Sequence, residues 1–431
     1  MKFAKLSIAA LAVVGFSSSA VALDLSGVTA KPFVKTKLYY ETVDRDGATD
    51  ATSGLFNQGN ASGQALVSAG LTGALDSCWG YGFEYTVVDT LGLENNIVSD
   101  TRMGWGLDHP NASVLDGRLN TQHWASQAYV TYSPCNTFLS NTTFKIGRQY
   151  LDTPFAFTEN WNIAPNSFDA MVAINQDIKG VTLVGAFVGK GNGAFAKVTN
   201  GDRFTSYLND TFIASGHATY AVGALTNLID GMPINLWYYN VGNVADAIWA
   251  DAAYTLKLAD DMNVGLGVQY GGMMPDAGLD DTTGYAAKIG GKVGMFNVMA
   301  AYSTVDSVDD RGGLALANTA TGFKKTKLYT AGIYTDGTGV AVPGSDAFKV
   351  KASANIAGYG KVIAQYVSCE NDNNNGMQNV DEIDLILATK LAGIGVKAIY
   401  INRDVTAGEN PGDGGFNKDT DHVRLILSKN F

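Results

Sequence analysis

Along most of the chain, large apolar residues fall on every second position. In CWGYGFEYTVVDTL, Trp79, Tyr81, Phe83, Tyr85 and Val87 alternate with Gly80, Gly82, Glu84 and Thr86. Successive side chains of a strand point to opposite faces, so this segment predicts a strand with one bulky apolar face and one small or polar face. The same period runs through KPFVKTKLYYETV, PINLWYYNVG, ADAIWADAAYTLKL, MNVGLGVQYGG, DAFKVKASANIAG and VDEIDLILATKL. The final segment, DHVRLILSKNF, sets Val423, Leu425, Leu427 and Phe431 against His422, Arg424, Ser428 and Asn430.

Soluble sandwiches and membrane barrels both alternate, and the spacers decide between them. Tight connections such as DIKG, LADD, AGYG and LAGIG interleave with long polar ones such as VDRDGATDATSGLFNQGNAS and KGNGAFAKVTNGDRFTSYLND. Outer-membrane barrels have short periplasmic turns and long outer loops in that rhythm. The polar faces carry Lys, Glu, Gln and Asn, while Trp and Tyr gather near the ends of the apolar faces, as an interfacial girdle requires. A sandwich would need division into two or three units, and no Pro-rich or Ser-rich linker divides the chain. Nineteen segments read as strands, but a bacterial barrel with both termini on the periplasmic side needs an even number. The odd one, TKLYTAGIYT (Thr326 to Thr335), is assigned to a hairpin inside one long outer loop from Val305 to Ser345. The expected fold is an all-β transmembrane antiparallel β-barrel of about 18 strands, each of roughly 9–11 residues, with long outer loops. Its terminal strand pairs with the first, near Phe33 to Val43, so that lipid meets the apolar face and no sheet edge is left open.

The first residues, MKFAKLSIAALAVVGFSSSAVALDLS, place Lys2 and Lys5 before the apolar run Ile8 to Phe16 and end it at Ala20-Val21-Ala22. This predicts a signal peptide over residues 1–22 and a mature barrel over 23–431, exported to the outer membrane of a Gram-negative bacterium. Loss of two lysines takes the net charge from −11 to −13, which argues against nucleic acid as a partner and mildly favours cationic solutes. Fifty glycines and 20 tyrosines beside only 3 cysteines suit an all-β chain and exclude a disulfide scaffold. His109, His123, His217 and His422 have no metal-ligand spacing, and no G-x-S-x-G elbow is present, so no enzyme is expected.

The stretch KIGRQYLDTPFAFTENWNIAPNSFDAMVAINQDIKGVTLVGAFV resembles the OprD-like porin family, which includes the major outer membrane porins of the Campylobacter group. The resemblance rests on Gly147, Arg148, Gln149, Leu151, Asp152, Thr153 and Pro154, then Phe168 and Asp169. INLWYYNVGNVADAIWADAAYTLKLADDMNVGLGVQY is similar to the family's paired central strands and HVRLILSKNF to its closing strand. The resemblance implies that the third outer loop folds into the channel, that the final aromatic serves assembly, and that the protein forms a homotrimer. Where several relatives carry Ser-Arg-Leu in the inserted loop, this chain has Asn160-Trp161-Asn162-Ile163, so an expected constriction arginine is missing.

A passive pore needs a constriction whose size and field decide what passes. In the inserted loop the candidates are Asp152, Glu159, Asn160 and Asn162, with Asp169 at its exit. Inward polar faces place Lys35, Lys37, Lys349, Lys351, Lys397 and Arg424 on the pore wall. Acid on the loop and base on the wall would create a transverse field; alternatively, the inward charges only keep the lumen wet. Arg148 joins the wall if its strand bulges, since strict alternation from Phe144 and Ile146 turns it outward, near the rim. In NDNNNGMQNVDE, Asn371, Asn373, Asn375 and Glu382 match calcium-loop positions, although an Asn-rich outer loop also serves solubility. No other cofactor is expected. Cys78 and Cys135 fall at the periplasmic rim of neighbouring strands, either bonded or as two free thiols. The function expected is passive diffusion of small hydrophilic solutes and ions, with cation preference; the alternative is a surface adhesin or coat barrel that does not conduct.

Overall fold

The computed structural model describes residues 23–25, 28–47, 54–93, 97–98, 121–135, 139–193, 205–206, 218–276, 278–308, 312–372, 379–406 and 419–431. The expected signal peptide at 1–22 lies outside them. Eighteen long strands form the wall. We number them β1 (Val28–Arg45), β2 (Ala61–Ala74), β3 (Trp79–Asp89), β4 (Gln122–Tyr132), β5 (Thr142–Gln149), β6 (Phe168–Asn175), β7 (Val181–Gly191), β8 (Thr219–Ile229) and β9 (Met232–Val241). Then follow β10 (Ala245–Ala259), β11 (Met262–Pro275), β12 (Thr282–Val293), β13 (Phe296–Val305), β14 (Ser345–Ile356), β15 (Gly360–Asn371), β16 (Asn379–Leu391), β17 (Ile394–Thr406) and β18 (Thr420–Asn430). Each pairs antiparallel with its neighbours in sequence. The short pieces Leu23–Leu25 and Thr205–Ser206 add to β1 and β7.

β18 closes on β1 with Lys35 opposite Asn430 and Arg45 opposite Thr420, and Phe431 exchanges backbone hydrogen bonds with Val34. The fold is therefore a closed barrel of 18 antiparallel strands, and every wall strand has two partners. Among the described residues no helix is long and apolar enough to cross a membrane; a barrel crosses with strands, whose backbone groups are satisfied between neighbours.

Alternation sorts the two faces. Leu236, Leu266, Val268, Ile289, Val298 and Leu385 stand exposed on the outside, while their neighbours in sequence turn into the lumen. Towards the long-loop end, four outward tyrosines donate to an aspartate on the next strand: Tyr238 to Asp246 at 2.8 Å, Tyr302 to Asp346 at 2.5 Å, Tyr366 to Asp381 at 2.7 Å and Tyr400 to Asp421 at 2.6 Å. An apolar ring with a polar tip suits the level where hydrocarbon gives way to headgroups, so these pairs mark the outer interface. At the opposite end the turns are tight. Between β16 and β17, Ala392 and Gly393 both have positive φ, 49° and 79°, the pattern of a type I′ hairpin turn that matches strand twist. The Cys78–Cys135 disulfide lies at this end, tying the start of β3 to the end of β4 with Cα atoms 5.6 Å apart. Cys369 is free and buried.

One expectation fails. Thr326 to Thr335 forms no strand, and the described residues from 312 to 344 contain turns, extended coil, the short 3-10 turn Thr319–Thr321 and a single bridging residue, Gly313, opposite Asp280. The segment does not hang outside as a hairpin; it enters the barrel. Its backbone finds partners on wall side chains instead of a neighbouring strand: Tyr329 N–H donates to Gln269 Oε1 at 3.0 Å, and Gln269 Nε2 donates to the Lys327 carbonyl at 2.8 Å. Buried amides need some acceptor, and a polar wall supplies it.

Candidate pore constriction

Two loops fill the lumen. The third outer loop, residues 150–167, leaves β5 and buries Phe155 and Ile163 completely. Phe155 meets Tyr239 and Trp249 edge-on, with ring centroids 5.6 and 5.4 Å apart, and Ile163 packs with Tyr39, Leu66, Val88 and Trp124 on the other wall. Apolar burial at both ends holds this loop across the barrel.

The seventh loop, residues 312–344, is stitched to it. Asn318 Nδ2 donates to the Phe157 carbonyl and to Glu159 Oε1, each at 2.9 Å, and Phe157 N–H donates back to Asn318 Oδ1. Thr319 donates to the Phe155 carbonyl through both its N–H and its hydroxyl. Glu159 also accepts from Trp161 Nε1 at 2.6 Å and from the Thr321 hydroxyl. It does not face the channel. Burial pushes its carboxyl above the ordinary value, against these hydrogen bonds and Lys325. Glu159 is thus a clamp between loops, because the seventh loop arrives where water was expected.

Asp152, unlike Glu159, is open to solvent. Its side chain is 83% exposed and pairs at 2.6 Å with Lys327 of the seventh loop, itself 38% exposed and lying over the Phe157 ring. Asn160 is exposed, whereas Asn162 is buried and its carbonyl accepts from Lys37. Arg148 and Asp169 need correction. They bind each other at 2.8 Å, opposite in register and on the same outward face as Ile146 and Met171, at the outer end of β5 and β6. The register runs unbroken between the two strands, so alternation holds and neither side chain lines the pore.

The other expected wall cations turn inward. Lys35 pairs with Glu84 at 2.9 Å, Lys349 donates to the Ala331 carbonyl, and Arg424 donates to Glu41 at 2.8 Å. Lys361 of β15 and Lys397 of β17 flank Ala388 of β16 in register, and Lys351 lies opposite Gln365. The acids Glu41, Glu84 and Asp384 occupy the same inward positions and were missed, and Glu382, also inward, was read only as a calcium ligand. The alternation that places the lysines would also have found them.

The calcium reading does not survive. Glu382 lies within β16, wholly buried, with its oxygens spent on backbone amides of the seventh loop, so it is not the last ligand of an outer loop. Asn371 ends β15 and holds Asn379 Oδ1 and the Pro343 carbonyl, while Asn373 and Asn375 lie outside the described residues. Among the described residues no group of three His, Cys, Asp or Glu side chains is placed to hold a metal.

A closed barrel narrowed by its own outer loops is the architecture of a porin. The model of the OprD family of outer membrane porins matches residues 91–336, and the chain belongs to that family, which places it in the outer membrane of a Gram-negative bacterium. No curated protein sequence matches it. Among solved structures it is similar to OccK9 (OpdG) of Pseudomonas aeruginosa, with TM-score 0.73 at 15% identity, covering 93% of this chain and 98% of that one. OpdK of the same organism, solved with vanillate, gives TM-score 0.70 at 14% identity over 93% and 98%. OccK8 (OprE) gives 0.67 at 14% over the same shares. Identities this low carry the fold alone.

Proposed function

We propose that this porin lets small hydrophilic solutes diffuse passively and favours those bearing a carboxylate or similar anionic group. The observation that carries the reading is the division of inward charge. Glu41, Glu84, Glu382 and Asp384 are almost wholly buried, as are Lys349, Arg403 and Arg424, whereas Lys351, Lys361 and Lys397 are not and outnumber the half-buried inward acid Asp251. An ammonium reached by water keeps donors for a passing anion, while a buried carboxylate presents little charge to the lumen.

Cation preference is the second reading, favoured by the exposed Asp152 and by the net charge of −11. The charge of the whole chain counts for less than the charges within about one Debye length, ~8–10 Å, of the permeant ion. Reversal potential of the purified protein in a planar bilayer under a salt gradient separates the two. Anion preference that falls when Lys351 and Lys397 are changed to Gln supports the first reading, and cation preference overturns it in favour of the second. Absence of discrete channel steps would instead favour a coat or adhesin barrel.

A further inference from the structure

The seventh loop carries Lys327 to the constriction, yet its tip, residues 331–336, is fastened elsewhere. Three consecutive amides, of Ile333, Tyr334 and Thr335, converge on the carboxylate of Glu382, with Tyr334 N–H 3.1 Å from both oxygens and Thr335 N–H at 2.6 Å. The Thr335 hydroxyl is a fourth donor at 2.9 Å, and Arg403 Nε stands 3.7 Å away. Glu382 has no solvent exposure. A buried carboxylate that accepts several backbone donors makes stronger bonds than a neutral acceptor, and its charge demands that they be kept. Gly332 permits the approach, since a Cβ there would fall 2.5 Å from Glu382 Oε1.

The next side chain is held by the same wall. The Tyr334 ring lies 4.3 Å from the His422 ring and 4.5 Å from the Arg424 guanidinium, and its hydroxyl donates to Glu41. Lys349 caps the Ala331 carbonyl on the other side. Strands β1, β14, β16, β17 and β18 thus each send an inward side chain to six residues of loop. We propose that Glu382 is a positioning residue for the pore: by gathering these amides it pins the seventh loop against the wall and so sets where Lys327 stands and how wide the constriction is. The proposal deepens the porin reading and rests on it for its electrical consequence.

Glu382→Ala leaves the tip's amides without their acceptor. In planar bilayers this variant is expected to show larger unit conductance, more open-channel noise and weaker discrimination between ions than the parent, with Glu382→Gln, which keeps one acceptor oxygen, in between. Two variants on the loop itself, Tyr334→Ala and Gly332→Val, should do the same without touching the barrel wall, whose integrity is read from the different gel mobility of boiled and unboiled protein. In parallel, amide hydrogen exchange of peptides covering residues 326–336 should lose protection in all three disruptive variants. If the parent conducts and the variants match it in conductance, noise and selectivity, Glu382 does not position the constriction. If the parent does not conduct, the porin reading fails; the exchange data then decide the anchoring, and unchanged protection overturns it.

Discussion

The two loops inside the barrel occupy neighbouring space but are fastened by different physics. The third loop is held by burial of Phe155 and Ile163 against aromatic and aliphatic walls. The seventh loop carries Leu316 and Leu328 into the same apolar cluster, but its tip hangs on charge: Glu382, Glu41, Arg424 and Lys349 from the wall, and its own Lys325–Asp336 pair at 2.9 Å. Apolar anchoring is non-directional and indifferent to pH, whereas ionic anchoring fixes a backbone in place and fails when one partner is lost. The third loop is thus held by contacts that no single change of charge removes, and the tip of the seventh by contacts that loss of one wall charge can release.

The comparison breaks most severely at Phe155. Phe155→Ala removes a buried ring and should cost the third loop about 3–5 kcal/mol of docking free energy, seen as faster amide exchange over residues 151–163. Because the Phe155 carbonyl accepts from Thr319, exchange should also quicken around 318–323, while the tip at Glu382 stays protected. Loss of protection at both ends would mean that the loops are one unit.

Asn318→Ala tests the stitch between them. It strips the Phe157 N–H and carbonyl of their partners, which should cost about 1–3 kcal/mol. In a double-mutant cycle with Glu159→Gln the two changes should be strongly non-additive, since Asn318 donates to Glu159. Additive effects would remove Glu159 from the clamp.

A smaller effect follows from the Glu159 carboxyl itself. Burial raises its pKa above 4.5, so the docked loop binds the proton more tightly than the free loop. The stabilisation from this difference is complete below about 4.5 and is lost as pH rises through the raised value. Asp336, raised by burial despite Lys325, acts in the same direction. Amide protection at the loop contact, corrected for intrinsic exchange, should therefore increase as pH falls from neutral towards that window. Glu159→Gln should flatten the slope; a slope of opposite sign would contradict the assignment.

Much of the wall was legible. A two-residue period is a direct print of the pleat, so Leu385 and Leu387 outside and Asp384 inside follow from order alone. The third loop was legible only through the Gly147 to Pro154 motif and its resemblance. The seventh loop deceived for a physical reason: Thr326, Leu328 and Thr330 are buried against the wall while Lys327 and Tyr329 between them are more open, so an extended strap lying on a surface alternates as a strand does. Alternation reports two unlike faces, whether or not a neighbouring strand exists. Glu159 was misread because its acidity spoke and its partners, Asn318 and Thr321, lie more than 150 residues away.

The bond between Cys78 and Cys135 joins the two ends of a hairpin whose strands are separated in sequence by one of the longest connections in the chain, from Asp89 to Gln122. Lengthening a closed loop adds only about 0.6 kcal/mol of entropy per doubling, and the staple fixes the two strands whatever hangs between them. Changes of length between Asp89 and Gln122 therefore leave the far end of this hairpin closed.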